Sequence, residues 1–243
     1  MKAVVIAAGY ATRMGSLGEK TAKALLTVAG RPILEHILDR VYELPDLEEV
    51  VVVSNSKFYN QFVSWQESYG RPVTLLDDGS TSNENRLGAI RDMMFAIDER
   101  SIDGEVLMIA SDNILDFSFS AMYEEFRRIN GAVIPVFDVG DMELVRKKHG
   151  VAEVVNGKVV SFEEKPEEPK SSMKSVFCYL FRGGIGLRIR KYLEEGNPDA
   201  PGHFMSWLVS REEVFAHFFE GRIYAVGTLE SYQEVDRQLT ESF

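Results

Sequence analysis

The strongest constraint on this chain is a change of character at residue 9. Val4-Val5-Ile6-Ala7-Ala8 is an unbroken apolar run of strand length, and it stops at Gly9, where the chain continues Tyr10-Ala11-Thr12-Arg13. A short apolar run without polar alternation reads as a strand buried on both faces, which requires helices above and below its sheet. The residues after it are small, so the backbone can come close to a ligand and offer free N–H groups to an anion. Arg13 and Lys23 add fixed positive charge. Together these features suit a nucleoside triphosphate. Neither common phosphate loop is present: there is no Gly-x-x-x-x-Gly-Lys-Ser/Thr and no Gly-x-Gly-x-x-Gly. The second absence speaks against a redox dinucleotide-binding protein.

The first half alternates strand and helix patterns. Strands are expected over 2–7, 49–54 (with the β-branched run Val50-Val51-Val52-Val53), 72–76 and 105–109. Helices are expected over 32–42, opened by Pro32, then over 57–69, 85–98 and 118–129. Such alternation implies parallel strands joined by right-handed crossovers, with ligands outside the strands' carboxyl ends. Gly9–Arg13 and Ser111-Asp112-Asn113 both follow strands, which puts them near one site.

The second half is richer in strands, expected over 132–137, 151–155, 158–162 and 175–181. Asn156-Gly157 marks a hairpin turn. Helices are expected over 185–194, 203–210 and 230–240, and the polar stretch 163–173 reads as an exposed loop. No Pro-, Gly- or Ser-rich linker divides the chain. The expectation is an α/β, Rossmann-like unit over 1–243, with a mixed, mostly parallel central sheet flanked by helices and the later strands extending the early sheet.

Composition narrows the partners. The net charge of −11 argues against nucleic acid and against an anionic membrane surface. No apolar run is long enough to span a bilayer, so a cytoplasmic location is the default expectation. Cys178 is the only cysteine and sits in an apolar strand, as a core thiol would. Asp112, at the end of a strand beside the phosphate loop, is placed to hold magnesium.

The opening resembles the sugar-1-phosphate nucleotidyltransferases, the nucleoside-diphosphate-sugar pyrophosphorylases. That family begins with a strand, Ala-Ala-Gly-x-Gly-Thr-Arg, and then Pro-Lys-Ala-Leu-Leu-Pro-Val. Here Ala11 replaces the second glycine, Ala22 the first proline and Thr27 the second. Ala110-Ser111-Asp112-Asn113 resembles the family's Asp-Asn metal site, Glu164-Lys165-Pro166 its Glu-Lys-Pro motif, and His149-Gly150-Val151 its Tyr-Gly-Val. The resemblance implies a nucleotidyltransferase fold of the glycosyltransferase-A-like kind. It implies an N-terminal half (1–130) that binds the nucleotide and a second half (131–243) that binds the acceptor.

The resemblance also implies roles. Ala7, Ala8, Gly9, Tyr10, Ala11 and Thr12 would hold the nucleotide, with Leu87 and Gly88 near the base. Arg13, Lys23 and Lys165 would act on the phosphates, Lys20 being a weaker rival to Lys23. Asp112 would hold Mg²⁺. His149, Gly150, Glu164, Lys165, Phe177 and Tyr179 would shape the acceptor site. The substrates would be an NTP and a sugar 1-phosphate, with room for self-association into a homo-oligomer. Two departures keep alternatives open. Phe177 stands where the family has glycine, which admits a cytidylyltransferase acting on phosphocholine or inositol phosphate. Ala225 stands where the family has a second metal-binding aspartate, which admits a catalytically weak nucleotide-binding relative.

Overall fold

The computed structural model describes residues 1–241. In chain order its elements are β1 (Lys2–Ile6), α1 (Ser16–Lys20), β2 (Thr27–Val28), β3 (Arg31–Pro32), α2 (Ile33–Val41), β4 (Glu49–Ser54), α3 (Tyr59–Tyr69), β5 (Thr74–Asp77) and α4 (Ala89–Glu99). Then come β6 (Val106–Ala110), β7 (Asn113–Leu115), α5 (Phe119–Arg128), β8 (Ala132–Asp138), β9 (Gly150–Val155), β10 (Lys158–Glu164), β11 (Met173–Ser175) and β12 (Cys178–Phe181). The chain ends with α6 (Ile185–Leu193), α7 (Pro201–Val209), β13 (Val214–Phe218), β14 (Ile223–Ala225) and α8 (Leu229–Thr240).

One sheet runs in the order β11-β9-β10-β13-β8-β12-β6-β1-β4-β5. The β6, β1, β4 and β5 strands pair in parallel, as strand–helix alternation demands. The parallel character ends at β12, which lies antiparallel to both β6 and β8. Beyond it only β13 and β8 are parallel, so the sheet is mixed and its later half largely antiparallel. The β11 strand pairs with β9 and also with β8, closing the later strands into a ring.

The helices follow from their apolar spacing. In α2, Ile33, Leu34, Ile37, Leu38 and Val41 are all buried, on a stripe that packs against one face of the sheet. Each such side chain contributes about 1.5–3 kcal/mol of burial. The α4, α6 and α7 helices cover the other face, with Ile90, Met93, Ile189, Phe204 and Met205 in its core. Ser118 caps α5 by accepting from the Ala121 N–H at 3.2 Å. Thr228 and Ser231 form a capping box at α8.

Several expectations move. The helix expected from residue 85 is α4, which begins at Ala89. Gly88 precedes it at φ 89°, and Asn85 instead caps the preceding turn by accepting from the Thr81 and Ser82 N–H groups. The expected strand over 175–181 is two strands, interrupted at Val176-Phe177. The loop over 163–173 is shorter at both ends, since β10 runs to Glu164 and β11 starts at Met173. Asn156 and Gly157 both have positive φ, as a two-residue hairpin turn of this hand requires. Cys178 is fully buried, and burial pushes its thiol far above the ordinary range, which leaves it unreactive. None of the described helices is long and apolar enough to cross a membrane.

Candidate active site

The small-residue loop leaves the sheet where β1 ends. The Ala7 N–H still bonds to the Val53 carbonyl at 2.8 Å, and the Asn55 amide donates to the Ala8 carbonyl at 2.9 Å. From Ala8 to Arg13 the backbone N–H groups donate to nothing within the described residues. Six consecutive unbonded donors at the carboxyl end of a parallel strand are available to an anion. Ala11 holds the turn at φ 49°, ψ 37°, the left-handed region that favours glycine. It occupies the position where the resembled family carries its second glycine. Gly18 closes against it, because a Cβ there would lie 2.4 Å from the Ala11 carbonyl oxygen.

Lys23 enters from the short helical turn over 23–25, and Asp112 from the end of β6. Their side chains meet at 2.8 Å, Nζ to Oδ2, with 15% and 35% exposure. The Asn113 amide donates to the other carboxylate oxygen at 2.6 Å. This pair stands in the wall of a cleft of about 200 Å³, which is also lined by Ala8, Gly9, Gly88 and Ser111. Lys23 is therefore the lysine in the cleft. Lys20 lies exposed at the end of α1 and is absent from the lining.

The remaining nucleotide candidates divide. Tyr10, Ala11 and Thr12 line a neighbouring cleft of about 340 Å³ instead. Ala7 is buried and Leu87 half-buried, and neither lines the cleft with Lys23. Arg13 is exposed and makes no ion pair among the described residues. Its guanidinium lies over Gly227, where a Cβ would be 3.6 Å from Nη2. Gly227 adjoins Val226, whose N–H bonds to the Asp112 carbonyl at 2.9 Å. Arg13 thus borders the Lys23–Asp112 cleft without lining it. Ala225 pairs with Asn113 across β14 and β7, so the position where the resembled family carries an aspartate adjoins Asp112.

The acceptor candidates gather on the same face of the sheet as α4 and α7. The β12 strand pairs with β6, and the Ala110 N–H bonds to the Phe177 carbonyl at 3.0 Å, which brings Phe177 beside the cleft-lining Ala110. Phe177 and Tyr179 pack ring to ring at 5.1 Å. Burial, and next the Glu164 carboxylate, push the Tyr179 phenol far above its ordinary range. Glu164 is paired with Lys165 at 3.1 Å, and Lys165 takes a left-handed φ of 49° to turn back beside it. Gly150 has no room for a side chain, since a Cβ would lie 2.6 Å from the Phe162 ring and 3.5 Å from a Glu164 oxygen. His149 is pushed down to about 4, first by burial and then by Lys174, Lys148 and Lys165, so it is neutral at pH 7 and shapes the wall without a charge.

Sequence reading missed several residues. Gly202, in the first turn of α7, faces Glu164 so closely that a Cβ would sit 2.0 Å from its Oε2. Gly202→Ala is expected to lower kcat/KM for the acceptor by about 10- to 100-fold, because it displaces the carboxylate. The added alanine favours the helix itself, so an unchanged kcat/KM with a raised melting temperature would contradict this placement. Lys174 on β11 is 9% exposed, pairs with no carboxylate among the described residues, and is lowered by burial. Asp199 lines the cleft and holds Arg86 at 2.7 Å. Asp92, on α4, also lines it. The signal for Asp92 was present: it is a carboxylate on the apolar side of an amphipathic pattern, between Ala89 and Ala96.

A family model described as nucleotidyl transferase matches residues 2–242. Among solved structures, one described as a glucose-1-phosphate thymidylyltransferase from Bacillus anthracis, in complex with sucrose, superposes with a TM-score of 0.83 at 22% identity. It covers 99% of this chain and 96% of its own. An apo UDP-glucose pyrophosphorylase gives 0.81 at 16% identity, covering 99% and 98% of the two chains. A UDP-glucose pyrophosphorylase complexed with UDP-glucose gives 0.77 at 16% identity, covering 100% and 99%.

Proposed function

The chain belongs to the nucleotidyl transferase family, and on that footing we propose that it transfers a nucleoside monophosphate from an NTP to a sugar 1-phosphate, giving an NDP-sugar and pyrophosphate. The observation that carries this reading is the Lys23–Asp112 pair at 2.8 Å in a cleft also lined by Ala8 and Gly9, which open the run of unbonded backbone N–H groups. The names of the similar structures favour a sugar phosphate over phosphocholine or inositol phosphate as acceptor.

The attacking oxygen belongs to the acceptor phosphate. It is already ionised at neutral pH, so the reaction needs no general base. The P–O bond to the α-phosphorus forms in line as the bond to pyrophosphate breaks, and catalysis reduces to positioning and charge neutralisation. The free N–H groups of Ala8–Arg13 bind the triphosphate. Lys23 neutralises charge at the reacting phosphorus, and Arg13 neutralises the departing pyrophosphate. Lys165, held beside Glu164, binds the acceptor phosphate, and Glu164 takes sugar hydroxyls.

Among the described residues no cluster of three acidic, histidine or cysteine side chains could cage a metal. Asp112 nonetheless fits a magnesium ion shared with substrate: it is a partly exposed carboxylate in the cleft, and magnesium beside phosphates uses one or two carboxylates and keeps water. Bound there, magnesium would neutralise phosphate charge.

An acceptor panel tests the reading. Pyrophosphate release with each of the common NTPs and magnesium should require a sugar 1-phosphate. Release that responds to phosphocholine or inositol phosphate instead would move the protein to the cytidylyltransferase alternative. No release with any acceptor would leave it a nucleotide-binding relative.

A further inference from the structure

A buried carboxyl in the wall of the cleft has no use in the chemistry above. Asp92 is 4% exposed, and its Oδ1 has no hydrogen-bond partner among the described residues. It lines the cleft with Ile6, Ala8 and Ala89. An acceptor left unmade in the interior costs stability, and an apolar residue would serve the packing of α4 better. The carboxyl is therefore to be explained by what enters the cleft.

Its orientation is fixed from behind. Asp92 shares a hydrogen bond with the Asp78 carboxyl. Asp78 in turn accepts from the Ser80 N–H and hydroxyl, both at 2.7 Å, and the Ser80 hydroxyl meets the Tyr10 hydroxyl at 3.0 Å. The network ties the Asp92 side chain to the small-residue loop itself. Burial, then Asp78, pushes the Asp92 acid up to about 8, with Asp199 adding to it. At pH 7 Asp92 therefore keeps its proton and donates a hydrogen bond to the Asp78 carboxyl, and Oδ1 is the acceptor of a neutral acid.

We propose that Asp92 reads the base of the nucleoside triphosphate, its unpartnered Oδ1 accepting a hydrogen bond from a ring or exocyclic N–H. A triphosphate offers such an acceptor two kinds of neutral donor, base N–H and ribose O–H. The phosphates have their own partners in Lys23 and the free N–H groups. The flat, small or apolar surfaces beside Asp92, Ala8, Ala89 and Ile6, suit the face of a heterocycle. This assignment rests on the nucleotidyl transfer proposed above.

The test is the dissociation constant of UTP, CTP, GTP and ATP, with magnesium, for the wild type, Asp92→Asn and Asp92→Leu, followed by their 2′-deoxy counterparts. The wild type should prefer one base. Asp92→Leu should reduce that preference by about tenfold or more, by weakening the preferred nucleotide alone. Asp92→Asn keeps an acceptor toward the cleft and a donor toward Asp78, and should retain the preference. If leucine crowds the helix, Asp92→Ala makes the same deletion without added volume. An unchanged ranking, equal weakening of all four, or a loss that follows the 2′-hydroxyl overturns the assignment while leaving nucleotidyl transfer standing. Failure of the wild type to bind any of the four overturns both.

Discussion

Lys23→Ala is expected to lower turnover by about 100-fold or more while leaving the melting temperature nearly unchanged. The catalytic loss is that of a charge aimed at a transition state developing in a sheltered cleft. Stability should barely respond, because the Lys23–Asp112 pair is partly open to water and such pairs contribute about 0–1 kcal/mol. A Lys23→Ala enzyme that still catalyses pyrophosphorolysis at a near-normal rate would contradict the assignment. A variant that loses activity only because it unfolds would do so as well.

Asp112→Asn is expected to have an effect of similar size, about 100-fold or more in kcat, by a different route. The substitution keeps the shape of the side chain and the carbonyl that accepts from Asn113, but removes the charged oxygen proposed to hold magnesium. It also frees Lys23. The magnesium concentration for half-maximal rate should therefore rise along with the fall in turnover. With Ala225 beside it, no second carboxylate from β14 can take over. If Asp112→Asn left the magnesium dependence unchanged, Asp112 would be a partner of Lys23 and nothing more. The double variant should be far less than the product of the single losses, because the two side chains act on one substrate as a unit.

The parts of the site that were legible in the sequence are those set by local chain chemistry. The Gly9 loop follows from a strand that ends in small residues. Asp112 follows from an acid placed at the end of another strand. Their convergence follows from the rule that parallel strands deliver their carboxyl ends to one edge. Lys23 was legible only through its motif, since nothing local says that its turn folds back onto Asp112, 89 residues away.

What was not legible depends on partners distant in sequence. Gly202 reads as an ordinary residue in a helix until Glu164 is found against it. Lys174 reads as a surface lysine until β11 is seen to bridge β9 and β8. The short strands β7 and β14 carry too few residues for a period to show, and it is their pairing that sets Ala225 beside Asp112. The antiparallel insertion of β12 between β6 and β8 could not be read from strand–helix alternation, which speaks only of crossovers. It is also the step that carries Phe177 to the edge of the cleft.

The most direct measurement is the stoichiometry of a single reaction containing an NTP, magnesium and a sugar 1-phosphate, with pyrophosphate and nucleotide-sugar quantified together. One pyrophosphate for each NDP-sugar, with neither formed when the sugar phosphate is left out, is the predicted result. Release of inorganic phosphate in place of pyrophosphate, or NTP consumption indifferent to the sugar phosphate, would contradict it.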